Sequence, residues 1–247
     1  GYISFGYDLT PYLQPGRNII AVRVDNSLEP SARWYHGCGI YAPVRLVVTD
    51  LVHIAPWGVQ IMTPKISDQE ATVQVRTEIS SALTNSSQAE LVTLLVNPSG
   101  AVVATQRSPF AMHSGKNILN QTLTVHSPQR WDPTTPKLYT CRNEIVHDGS
   151  AGDVVDTDFG IREIHWDAQT GFWLNGRNVK LRGVCEHLEG GPVGAAWPDE
   201  LIRWKLQLLK NMGCNAIRTA HNPQVSRFYE LCDKMGIIVM DEVFDGW

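Results

Sequence analysis

Asn215-Ala-Ile-Arg-Thr-Ala-His-Asn-Pro223 decides the fold, because a short apolar run delivers an arginine and a histidine to the point where a strand opens onto a helix. In parallel α/β architectures ligands bind at that strand end. Gln224 to Lys234 then carries Val225, Phe228, Tyr229 and Cys232 at the spacing of a half-buried helix. Asn222 and Pro223 read as the N-cap and first position of that helix. After Gly236, Ile237-Ile-Val-Met240 is too short for a helix and reads as a buried parallel strand.

The preceding segment repeats this grammar. Lys180 to Val184 reads as a strand and Pro198 to Met212 as a helix, with Pro198 at its first position, Asp199 and Glu200 in its first turn, and Gly213 as its stop. Leu201, Trp204, Leu208 and Met212, with Ile202 and Leu209 beside them, form one apolar face expected to cover a sheet. The C-terminal part is therefore expected to be the first β-α-β-α-β of a TIM barrel, with parallel strands and right-handed crossovers. A closed barrel takes about 250 residues, yet only the stretch from about Val179 onward shows the alternation. With Gly1 in place of an initiator Met and no apolar signal core, the expectation is an internal piece of a longer protein.

The composition is that of an ordinary globular protein, 43% hydrophobic and 19% charged with a formal net charge of −4. No apolar run approaches the roughly 20 residues of a membrane span. The charge lacks the basic stripe that a nucleic-acid partner requires. Cysteines at 38, 141, 185, 214 and 232 are scattered and odd in number, which argues against a disulfide framework or metal cage and for small buried hydrophobes at most of these positions.

Residues 1–158 are of another kind. Ile19–Val24, Val44–Val48, Thr72–Ile79, Leu91–Val96 and Leu138–Val146 are short alternating runs, separated by turn signals such as Pro15-Gly16, Asn97-Pro-Ser-Gly100 and Asp148-Gly149. Residues 51–158 offer some seven strands, the size of one immunoglobulin-like β-sandwich. Residues 1–50 are too few for a second and read as the last strands of a preceding, jelly-roll-like sandwich. Residues 159–247, led in by the Gly171-Phe-Trp-Leu-Asn-Gly176 hairpin, complete a multidomain order of β followed by α/β.

Separated motifs then converge. Asn215 to Pro223 with Phe228-Tyr229, Asp233 and Gly236 to Met240 resembles a signature of glycoside hydrolase family 2, which includes β-galactosidases, β-glucuronidases and β-mannosidases. Asp8-Leu-Thr-Pro-Tyr-Leu-Gln-Pro-Gly-Arg-Asn18, Arg33 to Tyr41, Trp131 to Tyr139 and Phe172 to His187 resemble further family segments in the same order. The resemblance implies a retaining, exo-acting β-glycosidase, most of all of β-galactosidase type, with β-glucuronidase and β-mannosidase as alternatives. It implies a carbohydrate substrate and no cofactor, and is compatible with a homo-oligomeric parent and with a bacterial periplasmic or secreted location. The acid/base and nucleophile glutamates are expected beyond Trp247, so this stretch alone is expected to be inactive.

By the same resemblance His187 and His221 are expected to hydrogen-bond the sugar, and Arg218 to orient the carboxylates and keep them ionised. Asn222 is read as a cap first and a substrate contact second, and Asp241 and Glu242 as partners supporting Arg218 from behind. Glu29, Arg33, Trp34 and His36, in a loop resembling one that reaches toward the site, serve a domain interface or shape the pocket. Many members carry Tyr at the place of Asn222 and Asn-Arg where Cys185-Glu186 stands. Asp241 to Trp247 lacks the histidine with which some β-galactosidases bind a metal, so no metal is expected here. A non-catalytic carbohydrate-binding β-sandwich protein would explain residues 1–158 equally well, but not Arg218 and His221 at a strand end; a family member that has lost its carboxylates also stays open.

Overall fold

The structure, a computed structural model, describes residues 4–25, 27, 39–147 and 149–243. Contacts divide the chain into two compact units, Leu46–Leu181 with Asp233–Gly236, and Gly1–Arg45 with Arg182–Cys232 and Ile237–Trp247.

The first unit is a sandwich of seven antiparallel strands: β1 (Val52–Ile66), β2 (Glu70–Ser81), β3 (Ser87–Val96), β4 (Val102–Met112), β5 (Gly115–His126), β6 (Tyr139–His147) and β7 (Ser150–Phe159). They form one sheet of order β1-β2-β5 and another of order β4-β3-β6-β7. The prolines explain which strands lie outside. Pro56 and Pro64 sit in β1 and Pro109 in β4, both edge strands, where a missing N–H breaks no inner ladder. Register shifts in β1 fall between Ile54 and Val59 and between Met62 and Lys65, beside those prolines. At the first, Trp57 has φ +55° and Gly58 leaves no room for a side chain, its β-carbon position lying 2.6 Å from the Ala55 carbonyl oxygen and 2.8 Å from that of Glu78.

Strand β2 buries every second residue from Ala71 to Ser81, the period-2 signature of a sheet with one face inward. Two apolar clusters result, one around Val75, Leu95, Leu123 and Cys141, the other around Ile54, Ile79, Leu91 and Ile145. Between them lies a polar layer. Thr77, Thr93, Gln121 and Asn143 each follow a residue of one cluster and precede one packed in the other, and all four are buried. The Thr93 hydroxyl stands 2.5 Å from Gln121 Oε1 and 2.7 Å from Asn143 Oδ1, the Thr77 hydroxyl lies 3.3 Å from the same Asn143 oxygen, and Gln121 Nε2 donates to Ser108 Oγ at 3.0 Å. Burial pushes the neighbouring Cys141 thiol up to about 11. After β7, strands β8 (Ile164–Asp167), β9 (Gly171–Leu174) and β10 (Arg177–Asn178) form a small antiparallel sheet. Asn175 and Gly176, at φ +52° and +74°, make its two-residue turn, the chemistry that a tight hairpin demands.

The second unit holds the parallel strands β11 (Gly183–Glu186), β12 (Ala216–Thr219) and β13 (Ile238–Met240), hydrogen-bonded in that order; in the chain α1 (Asp199–Asn211) comes between the first two and α2 (Ser226–Met235), whose last residues count with the first unit, between the last two. The first strand lies farther along than the expected Lys180 to Val184. Gly183 opens its ladder because a β-carbon there would stand 2.4 Å from the Ala216 carbonyl oxygen. Pro198 is the N-cap of α1 and not its first helical residue, its ψ of 153° being extended.

Two expectations about the helices need correction. The buried face of α1 is Ile202 and Leu206, whereas Trp204 is 59% exposed and Met212 74%. The buried face thus includes Ile202, set beside the expected stripe, and Leu206, which the expected face did not include. Helix α2 starts at Ser226, so Asn222 does not cap it. The Gln224 N–H is taken by the Tyr229 hydroxyl at 2.8 Å, and the chain turns only at Val225, whose carbonyl accepts the Phe228 N–H. The runs Ile19–Val24 and Val44–Val48 form no strand. Their apolar side chains are exposed and no ladder partner stands beside them among the described residues, which hold only a short 3-10 turn at Thr10–Tyr12 in this stretch. Glu29, Arg33, Trp34 and His36 lie outside the described residues, as does Cys38.

Candidate functional site

Three consecutive parallel strands end on one side of their sheet, and each delivers polar residues there. The register sets Cys185, Arg218 and Met240 abreast across β11, β12 and β13. His187 follows the end of β11, His221 lies two residues beyond β12, and Asp241 and Glu242 follow β13. The Ala220–His221 peptide is cis, and the Ala220 N–H donates to the Glu186 carbonyl at 3.0 Å.

Glu242 joins the expected residues. One carboxylate oxygen pairs with Arg218 Nη2 and the other lies 2.8 Å from His221 Nδ1. Arg218 Nη1 donates to Cys185 Sγ at 3.3 Å, and the His187 ring stands edge-on to that of His221 with centroids 5.3 Å apart. Glu242 is itself held in place, since its N–H donates to the hydroxyl of buried Thr219 at 2.9 Å. That hydroxyl donates to Asp241 Oδ1 at 2.7 Å, and the Tyr229 hydroxyl donates to the same oxygen at 2.6 Å. Thr219 and Tyr229 thus fix the turn after β13 that presents Glu242.

The electrostatics follow from these contacts. Partial desolvation raises the Glu242 pKa, but the hydrogen bond from His221 and the charge of Arg218 outweigh it and leave the carboxyl below its ordinary value. Arg218 is pushed further up by its bond to Cys185 and by Glu242, against a smaller desolvation effect. Desolvation and the bond to Asp241 raise the Tyr229 hydroxyl. An ionised Glu242 accepting from Nδ1–H leaves the acceptor lone pair of a neutral His221 ring on Nε2.

Four of the sequence-derived residues, His187, Arg218, His221 and Glu242, are therefore gathered, and Asp241 stands behind them through Thr219 and Tyr229. Asn222 is buried in the loop after β12 and makes no hydrogen bond to these four among the described residues. Thr219, Tyr229 and Cys185 were not among the site residues expected from the sequence. Tyr229 sits on the apolar stripe of α2, and Cys185, one of five scattered cysteines, is exposed. Cys141 and Cys232 are buried. Among the described residues no group of three or more His, Cys, Asp or Glu side chains gathers to hold a metal, and no helix is long and apolar enough to cross a membrane.

The sequence model described as glycosyl hydrolases family 2 matches residues 52–162, and that of the family's TIM barrel domain matches residues 168–244. A proposed β-glucuronidase of Formosa agariphila is 50% identical over 100% of this chain and 23% of its own length. A β-galactosidase of Bacteroides ovatus is 43% identical over 100% of this chain and 29% of its own. The crystal structure of a β-glycosidase from Bacteroides vulgatus superposes with a TM-score of 0.93 at 41% identity, covering 100% of this chain and 31% of that one. The chain spans less than a third of the length of each.

Proposed function

The chain belongs to glycoside hydrolase family 2, and from that membership we propose that it is the sugar-binding part of a retaining, exo-acting β-glycosidase, of the β-galactosidase kind. The observation that carries this reading is the gathering of His187, His221, Arg218 and Glu242 at the carboxyl ends of β11, β12 and β13. Imidazoles suit a sugar because a ring nitrogen can meet a hydroxyl while the ring packs on C–H surface. Retaining hydrolysis needs two carboxyl groups about 5 Å apart, one as nucleophile and one as acid and base. Glu242 fills neither role in this reading, because a carboxylate committed to a guanidinium and an imidazole is a poor nucleophile and no acid. Its work is to hold Arg218 and His221.

Arg218 is engaged by Glu242 and Cys185, so it is not poised to meet a sugar carboxylate, and this favours a neutral sugar. A β-glucuronidase is the second reading, favoured by the relative of Formosa agariphila. The test is turnover of para-nitrophenyl β-galactoside, β-glucuronide and β-mannoside by the full-length protein and its His221→Ala variant. The galactoside should turn over best, and the variant should lose about tenfold or more in kcat/KM. Turnover of none of the three, or a variant as active as the parent, would overturn the reading; preference for the glucuronide would select the second.

A further inference from the structure

The loop of residues 187–198, between β11 and α1, carries His187 at its start and closes on itself. The Glu189 N–H donates to the His187 carbonyl at 2.7 Å, Gly190 to Gly194 at 2.7 Å and Gly194 to Gly191 at 3.0 Å. Trp197 is buried against it, its indole N–H donating to the Gly194 carbonyl at 3.1 Å, and Gly190 is pressed so close that a β-carbon would stand 2.8 Å from Trp197 Cδ1.

One side chain of α1 ties this loop at two points and the strand end before it at a third. The Lys205 ammonium pairs with Glu186, donates to the Glu189 carbonyl at 3.3 Å, and lies 4.3 Å from the centroid of the Trp197 ring. The first two contacts bracket His187 in the chain and the third reaches the far end of the loop. Lys205 stands on a firm base, between Ile202 and Leu206 of the buried helix face. The pair is also well withdrawn from water, the side chains of Lys205 and Glu186 being 25% and 14% exposed. A charge-assisted bond so placed, joined by a cation–π contact, resists the loosening that an exposed ion pair would allow.

We propose that Lys205, through Glu186 and Trp197, is a positioning residue for His187 and thereby sets affinity for the sugar. The inference rests on the reading of His187 as a sugar contact. Lys205 does not touch the substrate; it holds the Glu186 carboxylate before His187 and the Glu189 carbonyl after it, and so the ring against His221. Its loss widens the range of positions of His187, which weakens sugar binding without altering the chemical step.

The test is a double-mutant cycle in the full-length protein, with Lys205→Met, Lys205→Arg and His187→Ala assayed on para-nitrophenyl β-galactoside, or on whichever of the three glycosides turns over best. His187→Ala and Lys205→Met should each raise KM about tenfold with kcat nearly unchanged, their combination should add nothing to His187→Ala alone, and Lys205→Arg should restore most of the affinity. If Lys205→Met does not fold, Glu186→Gln takes its place in the cycle. A raised KM for His187→Ala with an unchanged one for Lys205→Met, or full additivity, would overturn the role of Lys205. An unchanged KM for His187→Ala would instead remove the sugar contact, and the proposal with it.

Discussion

Glu242 has one carboxylate and two clients, and that division predicts what its removal does. Glu242→Gln keeps the shape but takes away the charge that Arg218 faces and the acceptor strength that Nδ1 of His221 meets. In the full-length protein we expect kcat/KM to fall about tenfold or more, while the melting temperature moves little, since charge-assisted bonds are the strong ones but this pair is partly open to solvent. A variant with unchanged kinetics would remove Glu242 from the site. The residue was legible in sequence only as a supporter of Arg218. Its second bond, to His221, joins residues 21 apart in the chain, and no local spacing announces it. Arg218 and His221 were legible because they share one short segment at the end of one strand.

At the scale of elements, the strands of the sandwich could be read from their alternation, and the β9–β10 turn from Asn175-Gly176. The polar layer could not, because alternation sets Thr77, Thr93, Gln121 and Asn143 on the inward face but only the packing of the two sheets brings their polar atoms together. The same limit applies to α1, whose apolar residues form two stripes and leave the choice of buried face to the sheet, which took Ile202 and Leu206. Within the layer, Thr93 bridges the two buried amides. Thr93→Val preserves shape yet removes the one hydroxyl proton that the two amide oxygens share, which leaves a buried acceptor without it at a cost of about 1–3 kcal/mol. The check is denaturant unfolding followed through the sandwich, with Ala89→Gly as an apolar comparison; a stability equal to that of the parent would mean the layer contributes no net hydrogen bonding.

For the whole molecule the carboxylates set how stability responds to acid. Asp132 accepts from the N–H and hydroxyl groups of both Thr134 and Thr135 at 2.6 to 2.9 Å. Its burial would raise the pKa, but these bonds outweigh burial and bring it from 3.8 to about 2. Asp156 is lowered by its two-pronged bond with Arg142, Glu78 by Lys116, and Asp167 by Thr170. Each of these groups is depressed in the folded state, so the unfolded chain binds the proton more tightly and acid favours unfolding. Their stabilisation is complete above the ordinary carboxylate range and is lost as pH falls from about 4 through the folded values, near 2 for Asp132. At one pKa unit per roughly 1.4 kcal/mol, Asp132 alone contributes on the order of 1–2 kcal/mol after allowance for its partial exposure. The melting temperature should therefore stay level from neutral pH to about 5 and drop steeply below 4, with a shallower drop in Asp132→Asn, which is already less stable at pH 7. A fall that began above pH 6 would place the acid sensitivity on histidines instead, and a variant that matched the parent at every pH would show the Asp132 turn to be energetically idle.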